Sequence, residues 1–259
     1  MRKHQRWAAM CCALAMLCGS IGFGLAEGTE KAVPSSRIVY GLSEQGRELV
    51  CHAVGNREAG LSLLMIFGVH GFEDAFDRDG EVLALIAQRL IEHYAQAQDI
   101  CLYVVPTANP DGLLAGTTKD GFGRCNASGI DINRDFSVDW SKETLDRNRT
   151  GKEPFATAEA RAIRDLVETL QPDYAMDVHG WCQLSFGNGK MAQIFAQPFG
   201  FEVRRLCGGG MLCAWLNRYT TESIMLELPP QPNKEDYVTD TASRLIEGLD
   251  AWVEHCSSR

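Results

Sequence analysis

The chain has 259 residues, of which 45% are hydrophobic and 23% charged, and its formal net charge at pH 7 is −9. This length and apolar content suffice for one large hydrophobic core, and we expect a single domain because no linker, charge block or internal repeat divides the sequence. The negative balance argues against nucleic acid or an anionic membrane surface as a partner.

The amino terminus has the features of a secretion signal. An uncharged, largely apolar stretch over 7–26 ends in Gly24-Leu25-Ala26, with small residues at the positions that a signal peptidase reads. We therefore predict a signal peptide over 1–26 and a secreted or cell-envelope location. Removal of its three positive charges would change the formal charge from −9 to −12. The basic residues before the apolar stretch are Arg2, Lys3 and Arg6.

Two alternatives for this segment stay open. A stretch of about 20 apolar residues can span a bilayer as an uncleaved anchor. A lipoprotein acylated at Cys18 is the other, although Leu17 is bulky where such sites have a small residue. After cleavage of a signal we expect no stable membrane partner, and we assign 27–259 to one folded domain.

Ten cysteines are present, and three of them lie in the predicted signal, which leaves seven. Because seven is odd and no Cys-x-x-Cys pair occurs, we expect mostly buried free thiols. A bridge between Cys207 and Cys213, or from Cys182 to either of them, is the alternative. A cysteine zinc site is not expected, because such sites need four close ligands.

Along the rest of the chain, short apolar runs alternate with amphipathic stretches of helical period. This alternation is typical of an α/β fold in which helices cover both faces of a sheet. The predicted strands are 48–54, 61–69, 100–108, 174–178 and 223–228, and the predicted helices are 80–94, 156–170 and 237–256. Between 110 and 155 the chain is polar and rich in Gly, Asn, Asp and Arg. A connection of this length is usually functional.

Polar residues follow three of the predicted strands at their carboxyl ends, where open α/β sheets bind their ligands. The second predicted strand leads into His70-Gly71-Phe72-Glu73, the fourth into His179, and the last contains Glu227. Two imidazoles and one carboxylate can hold Zn²⁺ and leave a fourth position open, as in catalytic zinc sites. A further carboxylate must accept a proton without being a ligand, and Glu227 is available for that role.

Two arginines in the polar segment indicate a substrate with a carboxylate. Arg124 and Arg134 lie on either side of the stretch 129–133 in a chain of negative charge. A guanidinium binds a carboxylate through a planar, two-pronged contact that lysine cannot reproduce.

Together these residues resemble the motifs of the zinc carboxypeptidase family, in the family's order and over roughly 40–255. The resemblance implies a single domain with a mixed sheet of about eight strands and helices on both faces. It also implies an enzyme that uses Zn²⁺ to hydrolyse the C-terminal amide bond of peptides with a free terminal carboxylate. The matching positions are His70-x-x-Glu73, Asn109-Pro110-Asp111-Gly112, Arg124, Asp131-x-Asn133-Arg134, His179 and Glu227-Leu228-Pro229.

The resemblance assigns a role to each matching side chain. It makes His70, Glu73 and His179 the metal ligands, with Asp131 supporting His70, and it makes Glu227 the general base. Arg124 would stabilise the oxyanion, and Asn133 and Arg134 would hold the terminal carboxylate of the substrate. Zinc is the expected metal for this donor set, although the same ligands accept other divalent ions.

Within the family, the chain is most similar to bacterial murein-peptide amidases, which release diaminopimelate by cutting after γ-D-glutamate. The Gly-rich segment 208–215 and the strand before Pro229 carry that similarity. Two features depart from the pattern. Tyr219 is the only tyrosine between Cys207 and Glu227 and cannot be equated with the mobile tyrosine of the digestive members. Asp135 follows Arg134 where Asn is commoner, so its charge is expected near the carboxylate pocket.

Two other functions fit parts of the same pattern. Aspartoacylase and succinylglutamate desuccinylase share the His-x-x-Glu and Asp-x-Asn-Arg motifs but hydrolyse N-acyl amino acids. A catalytically inactive peptidoglycan-binding module on the same fold is the second. The segments 109–112 and 227–229 favour a peptidase over a deacylase, and the presence of Glu227 with all three ligands argues against an inactive module.

Overall fold

Eight strands form one mixed sheet in the computed structural model, which describes residues 36–116, 123–206 and 208–258. In chain order they are β1 (Ser36–Leu42), β2 (Glu48–Gly55), β3 (Ser62–Phe67), β4 (Cys101–Val105), β5 (Tyr174–Gly180), β6 (Leu184–Phe186), β7 (Glu202–Arg204) and β8 (Glu222–Leu228).

The order of the strands across the sheet is β1-β2-β4-β3-β5-β8-β6-β7. The four central strands β4, β3, β5 and β8 pair in parallel. On one side β1 and β2 add antiparallel strands, and on the other β6 is antiparallel to β8 and parallel to β7. The mixed, eight-stranded sheet is the predicted one, and the expectation of a single α/β domain is confirmed.

Six α-helices accompany the sheet in the described ranges, and three of them were predicted. All five predicted strands are present, with bounds that shift by a few residues. Strands β1, β6 and β7 were missed because β1 is a partly exposed edge strand and the other two have three residues each, too few to show a period. The helices are α1 (Gly80–His93), α2 (Pro110–Ala115), α3 (Ala158–Leu170), α4 (Lys190–Ala196), α5 (Leu212–Leu216) and α6 (Tyr237–Ser257).

The sheet separates two hydrophobic clusters, one on each face. Because side chains alternate along a strand, Leu63 and Met65 of β3 contribute to one cluster and Leu64 and Ile66 to the other. The first cluster is completed by α1, α4 and α6, and the second by α3 and α5. Full burial of one such side chain contributes about 1.5–3 kcal/mol. Both faces of the central strands are therefore covered, which explains their continuous apolar sequence.

The predicted signal peptide over 1–26, with Cys18, lies outside the described residues, and so does Cys207. Among the described residues, Cys51 and Cys101 are buried free thiols and Cys182 is an exposed one, so no bridge joins Cys182 to Cys213. In the described ranges no helix is long and apolar enough to cross a membrane.

Gly71 fixes the packing between the segment after β3 and helix α2. A Cβ atom at this position would lie 2.1 Å from the backbone nitrogen of Leu113 and 2.2 Å from the carbonyl carbon of Gly112. No contact this short is tolerated, so a larger residue would push α2 away from the segment that carries His70 and Glu73.

We predict that Gly71→Ala lowers the free energy of unfolding by about 1–3 kcal/mol, because overpacking against rigid backbone forces a shift. Urea denaturation followed by circular dichroism would measure this. Gly60→Ala is the control: its Cβ would meet nothing within 4 Å, and its effect should stay within about 0.5 kcal/mol. Equal stability of the two variants would contradict the argument.

Candidate metal centre and active site

Parallel strands bring the predicted site residues to one edge of the sheet. His70 follows the end of β3, His179 lies near the end of β5, and Glu227 lies near the end of β8. His179 and Glu227 are direct partners in the β5–β8 register. Residues far apart in sequence therefore become neighbours through strand pairing alone.

His70, Glu73 and His179 form a group that could hold a metal ion. One donor atom from each lies within 4.8 Å of the others, and all three residues are buried. Nδ1 of His70 is 3.2 Å from both carboxylate oxygens of Glu73, and Nδ1 of His179 is 2.8 Å from Glu73 Oε1. Two imidazole nitrogens and a carboxylate that converge on one point are the donor set of a catalytic zinc site.

Carboxylates lie against the outer nitrogens of both histidines. Asp131 Oδ1 is 2.9 Å from His70 Nε2, and Asp177 Oδ1 is 2.9 Å from His179 Nε2. Both aspartates are fully buried. The contact with Asp131 favours the His70 tautomer with its proton on Nε2, which leaves Nδ1 of His70 able to bind a metal. Asp177 lies near His179, but its carboxylate oxygens have no hydrogen-bond partner among the described residues.

The charges of this buried cluster balance one another. Burial disfavours the ionised form of Glu73, but His70 and His179 outweigh it, and the pKa of Glu73 is lowered. The Arg124 guanidinium lies 3.5 Å from Glu73 Oε2 and 3.8 Å from Asp131 Oδ2. The carboxylates therefore stay ionised, as metal binding requires.

Glu227 differs from the other carboxylates of the site. Its Oε2 is buried and has no hydrogen-bond partner among the described residues. Burial raises the pKa of Glu227 to about 7, with His179 opposing the shift. A carboxylate with a pKa near neutrality and a free oxygen can accept and return a proton.

The donor group and Glu227 line a cavity of about 440 Å³. Arg124, Asn133 and Arg134 line it as well. Of the predicted site residues only Asp131 is not part of the wall, because it lies behind His70. The structure thus brings together all the residues that were predicted for the metal and substrate site.

Asn133 connects the cavity to the Gly-rich segment. Its Oδ1 accepts a hydrogen bond from Leu212 N at 2.9 Å, and its Nδ2 lies 3.1 Å from His179 Nε2. Arg134 donates from Nη1 to the Asn133 carbonyl oxygen at 2.8 Å. The contact of Nδ2 places the Asn133 side chain beside His179.

Sequence reasoning missed two carboxylates around the donor group. Asp177 could have been found, because residues two apart in a strand point to the same face and Asp177 precedes His179 by two. Asp79 left no such signal. It is fully buried, and it accepts hydrogen bonds from Glu73 N and Ala75 N, both at 2.7 Å, and from Trp181 Nε1 at 3.0 Å. Asp79 thereby joins the segments that follow β3 and β5.

Tyr219 and Asp135 both lie outside the cavity. Tyr219 is half exposed and packs against Trp215, with ring centroids 4.5 Å apart, and it is not among the residues that line the cavity. The expectation for Asp135 is wrong. Its carboxylate is buried and accepts hydrogen bonds from Ala156 N, Thr157 N and Thr157 Oγ1, so it supports the start of α3 and does not face the carboxylate pocket.

A mixed α/β sheet that carries a His₂Glu donor set, with a glutamate and two arginines in the same cavity, is typical of a metal-dependent hydrolase. The sequence model of the zinc carboxypeptidase family matches residues 29–198. Because this match covers more than half of the chain, the protein belongs to the zinc carboxypeptidase family and is a zinc-dependent metallopeptidase.

Two curated relatives illustrate the similarity. Murein peptide amidase A of Escherichia coli (strain K12) is 27% identical over 225 residues, which cover 79% of this chain and 86% of the relative. Bacteriocin BCN5 of Clostridium perfringens is 35% identical over 205 residues, or 75% of this chain. The chain spans only 23% of the length of that bacteriocin.

Solved structures share the fold. The murein-tripeptide amidase MpaA from Escherichia coli O157 aligns with a TM-score of 0.62 at 23% identity, covering 83% of this chain and 93% of that one. Carboxypeptidase A from Helicoverpa armigera aligns with the same TM-score at 16% identity, covering 85% and 66%. At these identities the likeness concerns the fold.

Asp135→Asn should lower the free energy of unfolding by about 1–3 kcal/mol, because an amide cannot accept all three hydrogen bonds at the start of α3. KM for a peptide substrate should change less than twofold, since the charge lies outside the cavity. Thermal denaturation and steady-state kinetics would measure the two effects. A variant of unchanged stability with an altered KM would contradict the placement of Asp135 outside the carboxylate pocket.

Proposed function

We propose that this zinc metallopeptidase is an exported carboxypeptidase that cleaves the terminal amide bond of diaminopimelate-containing cell-wall peptides. One observation carries the proposal: the His70, Glu73 and His179 donor group shares a cavity with Glu227, whose Oε2 is buried without a hydrogen-bond partner among the described residues. A metal-dependent hydrolase needs both a metal site and a carboxylate that is not itself a metal ligand.

In this proposal His70, Glu73 and His179 hold Zn²⁺, and Asp131 holds the ring of His70. Bound there, Zn²⁺ polarises a carbonyl group and makes a water molecule more acidic. Glu227 is the general base that takes a proton from the attacking water and passes it to the nitrogen of the leaving amine. Its raised pKa suits a group that must both accept and donate.

The arginines orient the substrate. Arg124 would stabilise the negative charge that develops on the carbonyl oxygen, because its guanidinium reaches into the cavity beside Glu73. Asn133 and Arg134 would bind the terminal carboxylate, which restricts cleavage to the end of the chain.

Two observations support a cell-wall substrate. Murein peptide amidase A of Escherichia coli (strain K12) is matched over 86% of its own length. The basic and apolar segment over 1–26 supports export to the cell envelope, where murein peptides occur.

The proposed role of Glu227 predicts a pH dependence. The base works only when ionised, so kcat/KM should fall as the pH decreases through the pKa of Glu227, which is about 7 without metal and lower beside a cation. The acid limb of the profile should therefore lie at or below about pH 7. Glu227→Gln should retain zinc but lose turnover by about 10³-fold or more.

Zinc content, measured by inductively coupled plasma mass spectrometry, separates this effect from loss of the metal. His179→Ala serves as the matched variant and should lose both zinc and turnover. Full activity of Glu227→Gln would rule out the proposed base.

The substrate assignment is tested by mass spectrometry of reaction products. We expect the zinc-loaded protein without residues 1–26 to release diaminopimelate from L-Ala-γ-D-Glu-diaminopimelate and to leave the same peptide with an amidated terminal carboxyl group intact. Release of ordinary C-terminal residues from a mixed-sequence peptide alone would identify a general carboxypeptidase. Turnover of an N-acyl amino acid alone would identify a deacylase.

A further inference from the structure

The motif Asn109-Pro110-Asp111-Gly112 has no part in the proposed hydrolysis, although it is one of the motifs identified in the sequence. Asn109 is fully buried and caps the first turn of α2, where its Oδ1 accepts a hydrogen bond from Gly112 N at 2.9 Å. A serine, threonine or aspartate would satisfy the same cap. Capping alone therefore does not explain why this residue is an asparagine.

The nitrogen of the same amide contacts the segment that carries Arg124. Asn109 Nδ2 lies 3.3 Å from the carbonyl oxygen of Arg124 and 3.1 Å from that of Cys125. An amide nitrogen has two N–H donors, so one side chain can serve both carbonyl groups while its oxygen caps the helix. Among the residues that cap helices well, only asparagine combines these contacts.

Helix α2 and the segment that carries Arg124 are in close backbone contact. A Cβ atom at Gly112 would lie 2.5 Å from the carbonyl oxygen of Gly123 and 2.5 Å from Asn109 Nδ2. The backbone nitrogen of Asn109 also donates to Gly68 O at 2.9 Å. Asn109 thus joins the start of α2 both to the loop after β3, which leads to the metal ligands, and to the backbone that carries the guanidinium.

The guanidinium of Arg124 is not held tightly by its own side-chain contacts. Its nitrogens lie 3.5 Å from Glu73 Oε2 and 3.8 Å from Asp131 Oδ2, longer than the roughly 2.7–2.9 Å of a tight charge-assisted hydrogen bond. Its Nε is buried and has no hydrogen-bond partner among the described residues. The place of the guanidinium is therefore largely set by the backbone from which the side chain extends, and Asn109 fixes that backbone at two carbonyl groups.

We propose that Asn109 is a positioning residue that holds the backbone at 124–125 so that the Arg124 guanidinium lies where the oxyanion forms. This inference rests on the proposed function, in which Arg124 stabilises that charge. Such stabilisation depends on donors that are fixed in place before the reaction. Because the charge develops only in the transition state, a displaced guanidinium should lower kcat and leave KM nearly unchanged.

The test uses Asn109→Asp, which keeps the oxygen that caps α2 and removes both donors. With zinc-loaded protein and L-Ala-γ-D-Glu-diaminopimelate, we expect kcat to fall by about tenfold or more and KM to change by less than about twofold. Arg124→Ala should lower kcat by about 10²–10³-fold. In a protein that already carries Arg124→Ala, the addition of Asn109→Asp should lower kcat by less than about twofold, because the group that Asn109 positions is gone.

Asn126→Asp is the matched control. Asn126 is also fully buried, its Oδ1 accepts hydrogen bonds from Ser128 N and Ile130 N, and its Nδ2 donates to Glu159. The substitution again keeps the acceptor and removes the donor, so it should lower the midpoint of thermal unfolding, as Asn109→Asp should. Its kcat, measured well below that midpoint, should change by less than about twofold. Zinc content should be unchanged in all these variants, because none of the substituted side chains is a ligand.

If Asn109→Asp does not fold, Asn109→Ser takes its place, since serine also caps a helix but lacks the two amide donors. Unchanged kcat, loss of zinc, an equal loss of kcat with and without Arg124→Ala, or an equal loss in Asn126→Asp would overturn the assignment and leave the proposed function intact. Unchanged kcat in Arg124→Ala, or no cleavage by the wild-type protein, would overturn the proposed function and this inference with it.

Discussion

The parallel register of β3, β5 and β8 is the constraint on which the active site depends. Each strand ends at the same edge of the sheet and delivers one polar residue or segment there, and His179 and Glu227 are direct partners across two strands. Close packing in the hydrophobic clusters on both faces fixes this register, since a slip of one residue would exchange the side chains of the two clusters and change the volume at every core position. The packing that stabilises the core thus also positions the active-site residues.

The second constraint is electrostatic. Glu73 and Asp131 are buried within 4 Å of the Arg124 guanidinium, and their charges are tolerated because this opposite charge is near. Removal of a single member would leave an uncompensated buried charge. Glu227 stands apart from this balance, and its unpartnered oxygen sets it apart chemically from the carboxylates that surround it.

The extent to which the sequence predicted this structure differs from element to element. Long amphipathic helices such as α1 and α6, and strands buried on both faces such as β3, have periods that are visible in the chain. Three-residue strands have none. The donor residues could be predicted because they follow predicted strands, whereas the position of Asp79 depends on the fold of an irregular segment, for which no periodic signal exists. Asp135 was misplaced for a related reason: its position next to Arg134 says nothing about the direction of its side chain, which α3 determines.

The three hydrogen bonds that Asp79 accepts have an energetic consequence. They tie the backbone around Glu73 to the indole of Trp181, so the segment after β3 and the segment after β5 cannot relax independently. Substitutions on the two segments will then be non-additive, with interaction energies in a double-mutant cycle that neither single change reveals. Through Asp79 the two walls of the cavity behave as one thermodynamic unit. A substitution that changes substrate specificity on one wall will therefore also change the effect of substitutions on the other wall.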